Sequence, residues 1–297
     1  MTPLLPEFHS ATQPWHSQAG GGVTLRGRRI ARADVPLIHF IHGNGFSGGT
    51  YWPLLHSFAD RYALFCHDLE GHGQSDAPAH YSGTPAIIRR IAHVMDEQCG
   101  ARAPIIGIGH SFGAAVTLGV AAAQPQRFSA LVLLDPILLP RAHWLAVKAA
   151  SAFSRNPMAQ GARRRRSQWD SRDQVLEKLR GRGIYRGWQD DALACFVDYA
   201  TRDTDDGRRQ LCCPTEIEAS IFEQPIYPWP MIRRLRTPTL LIHGQGSYAF
   251  FKPALKAIRR LNPGIQIEAV NGGHCFMQED PEPTARLING FLARHNL

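Results

Sequence analysis

Gly109-His110-Ser111-Phe112-Gly113 matches Gly-x-Ser-x-Gly, a strand-to-helix turn that carries a serine oxygen at the tip of a sharp bend. Five residues recur by chance, so the flanks decide. Before them runs Ala103-Pro104-Ile105-Ile106-Gly107-Ile108, a short apolar run of the buried-strand kind. After them, Ala114 to Ala123 reads as a helix of small residues able to pack closely on a sheet. Strand, turn and helix stand in the order the motif requires. Gly109 and Gly113 remove side chains where bend and helix would collide, and glycine tolerates unusual dihedrals. The competing reading is an ordinary glycine-rich connection with a surface serine.

Working outward, Val23 to Arg32 and Leu37 to Ile41 look like two strands, the second running into the loop His42-Gly43-Asn44-Gly45-Phe46 and a helix near Ser47 to Phe58. Tyr62 to Cys66 forms a third strand, followed by the glycine-marked loop Asp68 to Asp76. Apolar residues at 87, 88, 91, 94 and 95 give Pro85 to Gln98 a helical spacing. Beyond the opening pentapeptide, Phe128 to Leu134 is another buried strand, closed by Asp135. Strands alternating with helices at this spacing predict an α/β fold, with a mainly parallel sheet covered by helices on both faces.

The alternation stops at Pro136. From there to about Pro230 the sequence offers helical segments and no convincing strand. Strand periodicity resumes at Thr237 to Gly244, then a helix near Phe250 to Leu261, a strand at Ile265 to Val270, and a last helix near Pro283 to His295. Residues 1–135 and 232–297 therefore read as one core, and 136–231 as a helical cap inserted into it.

A chain of 297 residues, 44% hydrophobic and 20% charged, can bury a substantial core. Met1 to Gly22 is polar and interrupted by Pro3, Pro6 and Pro14, unlike a secretory leader. The longest small-apolar run, Ala114 to Ala123, falls short of the roughly 20 residues a membrane span needs. A cytoplasmic protein without a membrane span is expected. The net charge of +8 is spread over the cap and the C-terminal part, apart from one dense run, Arg163 to Arg166. Such a run is usually a solvated helix face, so no nucleic-acid partner is expected, while attraction to an acidic surface or an anionic substrate stays open. Six cysteines show neither Cys-x-x-Cys nor zinc spacing, which fits reduced thiols, with Cys99 and Cys195 as small core fillers.

Taken together, His42-Gly43, Asp68 to Asp76, Gly109 to Gly113, the inserted cap and Gly273-His274 resemble the α/β-hydrolase fold over nearly the whole chain. In the cap no motif matches, and there the resemblance is only to a generic lid. A serine hydroxyl is a poor nucleophile until a base takes its proton. The resemblance implies His274, in Gly272-Gly273-His274-Cys275-Phe276, as that base; the alternative is a loop histidine that caps the final helix. His110 is expected to pack beneath the bend. His39, His42, His67 and His72 lack acidic or cysteine partners at ligand spacing, so no metal is expected.

The third member departs from the pattern. The family usually supplies an acid from the loop after the strand ending at His243, and here that loop reads Gly244-Gln245-Gly246-Ser247-Tyr248; no Asp or Glu occurs from Gln224 to Ile267. Either the triad is broken or another strand supplies the acid. Asp135 ends the strand after the serine strand, 24 residues beyond Ser111, and some members of the family, haloalkane dehalogenases among them, carry their acid there. An aspartate closing the apolar Leu131-Val132-Leu133-Leu134 is also hard to desolvate without a partner. Otherwise it is an Asp-Pro turn opening the cap. The oxyanion donors are expected to be the backbone N–H of Phe112, at a helix start, and that of Asn44, with Gly45 the close alternative.

The expected function is a serine hydrolase cleaving a carboxylic ester of an apolar acyl or aromatic small molecule, without cofactor. Serine at 111 argues against epoxide hydrolases and haloalkane dehalogenases, which carry aspartate at that position. The sequence leaves open amide, lactone or carbon-carbon cleavage by the same triad, and a non-catalytic ligand-binding protein on the same fold. Oligomeric state is not legible.

Overall fold

A computed structural model describes residues 7–100 and 105–297. Eleven strands occur among them: β1 Gln13–Gln18, β2 Thr24–Ile30, β3 Leu37–Ile41, β4 Ala63–Asp68, β5 Ile105–His110, β6 Phe128–Leu134, β7 Gln168–Trp169, β8 Thr201–Asp203, β9 Arg209–Leu211, β10 Thr239–Gly244 and β11 Gln266–Val270. Ala103 and Pro104, the expected start of β5, lie outside the described residues, as does Met1 to Pro6.

Eight strands form one sheet in the order β1-β2-β4-β3-β5-β6-β10-β11. The pairs β1–β2 and β2–β4 are antiparallel, and every pair from β4 onward is parallel. Side chains on a strand alternate between faces. Val132 and Leu134 accordingly pack with Trp52, Phe58, Ile288 and Phe291, while Leu131 and Leu133 pack with Ile91, Val94, Val116 and Leu118. Both faces are thus covered, which is why the parallel strands read as unbroken apolar runs.

The register brings the strand ends level. Ile41 pairs with Gly109, His110 with Leu134, and Leu134 with Ile242. Because parallel strands run the same way, their C-terminal loops meet along one edge of the sheet, where open α/β sheets bind ligands.

One strand adds to the sequence reading and one expectation needs correction. The N-terminal polar stretch contains β1, an edge strand with Pro14 where a missing N–H is tolerated. It is anchored by buried Trp15, whose Nε1 donates to the Cys66 carbonyl at 3.1 Å. The region between β6 and β10 is also not purely helical, for β7, β9 and β8 form a small antiparallel sheet. Strands of two and three residues are too short to carry a period-two signal. The rest of that region is helical, at Arg141–Ala152, Pro157–Arg164, Arg172–Leu179, Asp190–Ala200, Thr215–Glu223 and Trp229–Arg234. The cysteines are free thiols, Cys99 and Cys195 buried in the apolar clusters. Among the described residues no helix is long and apolar enough to cross a membrane.

Candidate active site

Ser111 leaves β5 and precedes the helix Phe112–Ala123 with φ 55° and ψ −117°, a conformation that costs a non-glycine residue on the order of 1–3 kcal/mol. The turn is held from both sides: Ser111 N–H donates to the Leu134 carbonyl at 2.9 Å, and the Ser111 carbonyl accepts from Ile137 at 3.4 Å. The two glycines of the motif permit a close backbone crossing. A Cβ on Gly113 would stand 2.3 Å from the carbonyl oxygens of Ile41 and His42, and one on Gly109 would stand 2.6 Å from that of Gly113. A side chain at Gly113 would push the bend off β3, and one at Gly109 would push the strand end off the start of its own helix.

The structure brings three of the singled-out side chains into one line. Ser111 Oγ lies 2.9 Å from His274 Nε2, and His274 Nδ1 lies 2.5 Å from Asp135 Oδ2. Asp135 is fully buried and Ser111 is 7% exposed. With a carboxylate on Nδ1, the proton belongs on that nitrogen, leaving Nε2 free to accept from the serine hydroxyl. Buried, Asp135 needs donors. It takes one from the Gly244 N–H to Oδ1 at 3.0 Å, and another from the Ser247 hydroxyl to Oδ2. Ser247 stands in the loop where the family usually carries its acid, and sequence spacing gives no sign of its contact with Asp135. A short polar residue in a loop otherwise lacking acids was the available signal.

His110 points away from the serine. Its Nε2 lies 2.9 Å from the His274 carbonyl, which can only accept, so Nε2 carries the proton. Nδ1 then accepts from the Tyr51 hydroxyl at 2.6 Å, and the Tyr51 oxygen accepts the Gly43 N–H at 3.1 Å. Burial, and then the neighbouring His274, keep His110 well below the usual histidine range and hence neutral. His110 thus ties the His274 backbone to the loop after β3.

In that loop the Gly45 N–H donates to His72 Nε2 at 3.0 Å. The N–H groups of Asn44 and Phe112 have no hydrogen-bond partner among the described residues. The Asn44 side chain is fixed by donating Nδ2–H to the Glu218 carbonyl, 2.9 Å away in the helix Thr215–Glu223. Glu218 also pairs with Arg165, both carboxylate oxygens lying 2.8 Å from Nη1, and Arg165 Nη2 donates to the Tyr185 hydroxyl at 2.9 Å. Desolvation pushes the Glu218 carboxyl up while Arg165 pulls it back. Sequence spacing gave no sign of this contact between the loop and the 136–231 region.

Of the aromatic residues in 136–231, Trp188 and Phe196 pack on Phe46, with ring centroids 5.6 and 5.9 Å away, and Tyr185 lies against both. The others hold the region together: Trp169 is buried, Trp144 packs on Tyr227, Tyr199 accepts from the Phe8 N–H, and Trp229 donates to the Leu139 carbonyl. His42 donates to the Gly43 carbonyl and accepts from Leu69, His72 donates to the Glu70 carbonyl, and His39 and His67 pack edge to face. Among the described residues no three His, Cys, Asp or Glu side chains could share a metal ion.

Residues 40–287 match the alpha/beta hydrolase family. The chain is 24% identical to 2-(acetamidomethylene)succinate hydrolase of Mesorhizobium japonicum, over 92% of each. A shorter stretch is 38% identical to the lipase LipV of Mycobacterium tuberculosis, covering 38% of this chain and 42% of that one. The crystal structure of an E-2-(acetamidomethylene)succinate hydrolase superposes with a TM-score of 0.79, covering 95% of this chain and 99% of that one at 24% identity. The thioesterase domain from the curacin biosynthetic pathway gives 0.76, covering 94% and 99% at 18% identity.

Proposed function

This chain belongs to the alpha/beta hydrolase family, and we propose that it is a serine hydrolase cleaving a carboxylic ester through an acyl-enzyme. The observation that carries the reading is the continuous contact Ser111 Oγ to His274 Nε2 to Asp135 Oδ2, at 2.9 and 2.5 Å. Ser111 attacks the ester carbonyl while His274 takes its proton. Asp135 keeps the imidazole in the right tautomer and stabilises the imidazolium. The N–H groups of Phe112 and Asn44 receive the oxyanion, Gly45 being committed to His72. His274 then protonates the leaving alkoxide. A water activated by the same nitrogen hydrolyses the acyl-serine, restoring Ser111 and releasing the acid.

Residues 136–231 serve in this reading as the cap that selects substrate over a core of 1–135 and 232–297. The aromatic group of Tyr185, Trp188 and Phe196 beside Phe46 supports an apolar acyl or aromatic substrate.

A second reading, cleavage of an amide or another bond by the same groups, is favoured by one observation: the relative matched along its length is named for an acetamido substrate, whereas the lipase matches only in part. Turnover across esters and amides of graded acyl length separates the two. Ser111→Ala lowers turnover of an activated ester at least roughly 10³-fold and abolishes labelling by a fluorophosphonate probe. Undiminished turnover by that variant refutes the mechanism, and failure of the folded parent to take the probe points to a binding protein instead.

A further inference from the structure

The helix Arg141–Ala152 buries none of its residues. It is held through one side, where Trp144 Nε1 donates to the Pro225 carbonyl at 2.9 Å and its ring packs on Tyr227. On the other side Ala142, Leu145, Ala146, Ala149 and, just past the helix end, Phe153 repeat at helical spacing, and all five are exposed. This inverts the usual arrangement, in which the apolar stripe faces the core and the polar one faces water. Phe153 is 73% exposed, Leu145 51%, and Met158 in the following helix 42%.

Charge around this stripe has one sign. No acidic residue occurs between Asp135 and Asp170, while Arg141, Lys148, Arg155 and Arg163 to Arg166 all do. The nearest acids come from the helix Thr215–Glu223 and are committed. Arg163 pairs with Glu216 and Glu223, and Arg165 with Glu218. Arg141, Lys148, Arg155, Arg164 and Arg166 form no ion pair among the described residues. The arginine run that looked from sequence like a uniform solvated face is thus divided, two arginines bracing the fold and two left unpaired.

We propose that this face, with Leu145, Phe153 and Met158 as inserting groups and Arg141, Lys148, Arg155 and Arg164 around them, docks reversibly on an anionic lipid surface. Charge complementarity selects the occupant. A second copy would bring like charges together, whereas anionic headgroups meet the unpaired cations and let the apolar side chains enter the acyl boundary. With three large apolar groups the attachment is weak and salt-sensitive. It needs no catalytic activity and so stands apart from the proposed reaction.

Co-sedimentation of the full chain with phosphatidylcholine vesicles, with and without phosphatidylglycerol, tests this. Pelleting is expected only with the anionic vesicles, decreasing as salt screens the charges. Leu145→Ser with Phe153→Ser, and separately Arg141→Glu with Lys148→Glu and Arg155→Glu, each weaken binding at least about tenfold. Both variants keep the parent's Tm and turnover of a soluble short-chain ester, and Ser111→Ala pellets like the parent. Absence of pelleting by the parent overturns the proposal, as does equal pelleting by the serine pair. A concentration-dependent dimer without pelleting, abolished by the same pair, also overturns it and assigns the face to a second copy.

Discussion

The Ser247 hydroxyl donates to Asp135 Oδ2, the same carboxylate oxygen that faces His274 Nδ1. The loop after β10, from which the family usually supplies an acid, here contributes donors to the acid at the end of β6. Gly244 N–H on Oδ1 completes the arrangement. A fully buried carboxylate is costly unless its oxygens are satisfied, and here the loop supplies what water would otherwise supply.

Asp135→Asn is expected to lower kcat roughly 10³–10⁴-fold on an activated ester, because an amide there favours the wrong imidazole tautomer. Ser247→Ala leaves the Ser111–His274–Asp135 contacts in place but removes a donor from a buried carboxylate. It should cost about 1–3 kcal/mol in urea denaturation with a much smaller effect on kcat. A neutral Asp135→Asn beside an inactive Ser111→Ala would mean a dyad or a different acid.

Tyr51→Phe removes both the donor to His110 Nδ1 and the acceptor of the Gly43 N–H. Each stranded buried group costs about 1–3 kcal/mol, so the midpoint of urea denaturation should fall clearly with an unchanged slope. An unchanged midpoint would contradict the tautomer assigned to His110.

Arg165→Ala leaves the Glu218 carboxylate buried without its partner, against the loop that carries Asn44. Loss of about 3–5 kcal/mol is expected. Replacing both, as Arg165→Met with Glu218→Leu, should recover a large part of that loss. If the double variant is as unstable as the single one, the ion pair itself is the stabilising element.

Acid should unfold this protein steeply. Burial holds His39 down at about 3 and His72 at about 4, and keeps His42, His67 and His110 well below the usual range. Below about pH 6.5 the unfolded chain protonates all five while the native state does not, so stability is lost as pH falls. Asp68, raised to about 6 by burial, opposes this by one proton, since its native form protonates first. Glu218, also raised by burial, opposes it in the same sense, but five buried histidines outnumber two carboxyls, so the net effect is a loss of stability as pH falls below about 6.5. Calorimetric Tm between pH 7 and 4.5 measures it, and a flat profile would refute it. His39 has no hydrogen-bond partner among the described residues, so His39→Leu should reduce the slope by about one proton.

The serine turn was legible because it is local. A bend that must avoid backbone collision demands glycines at fixed spacing, and the apolar runs around it mark strands buried on both faces. β1 and the small β7–β9–β8 sheet were not legible, because an edge strand interrupted by proline and strands of two or three residues leave no periodic signal.

By itself the sequence determined the alternation of strands and helices, the turn at Ser111 and the order of His42-Gly43, Asp135 and His274 along the chain. Those features follow from backbone sterics and side-chain periodicity, which act over a few residues. The absence of any acid in the loop after β10 also pointed to Asp135; only the tertiary structure decided that its carboxylate lies on His274, that Ser247 donates to it, and that Glu218 fixes Asn44. Those contacts join residues more than a hundred positions apart. They depend on the parallel register that levels the strand ends, and burial at that edge makes each polar group find its partner.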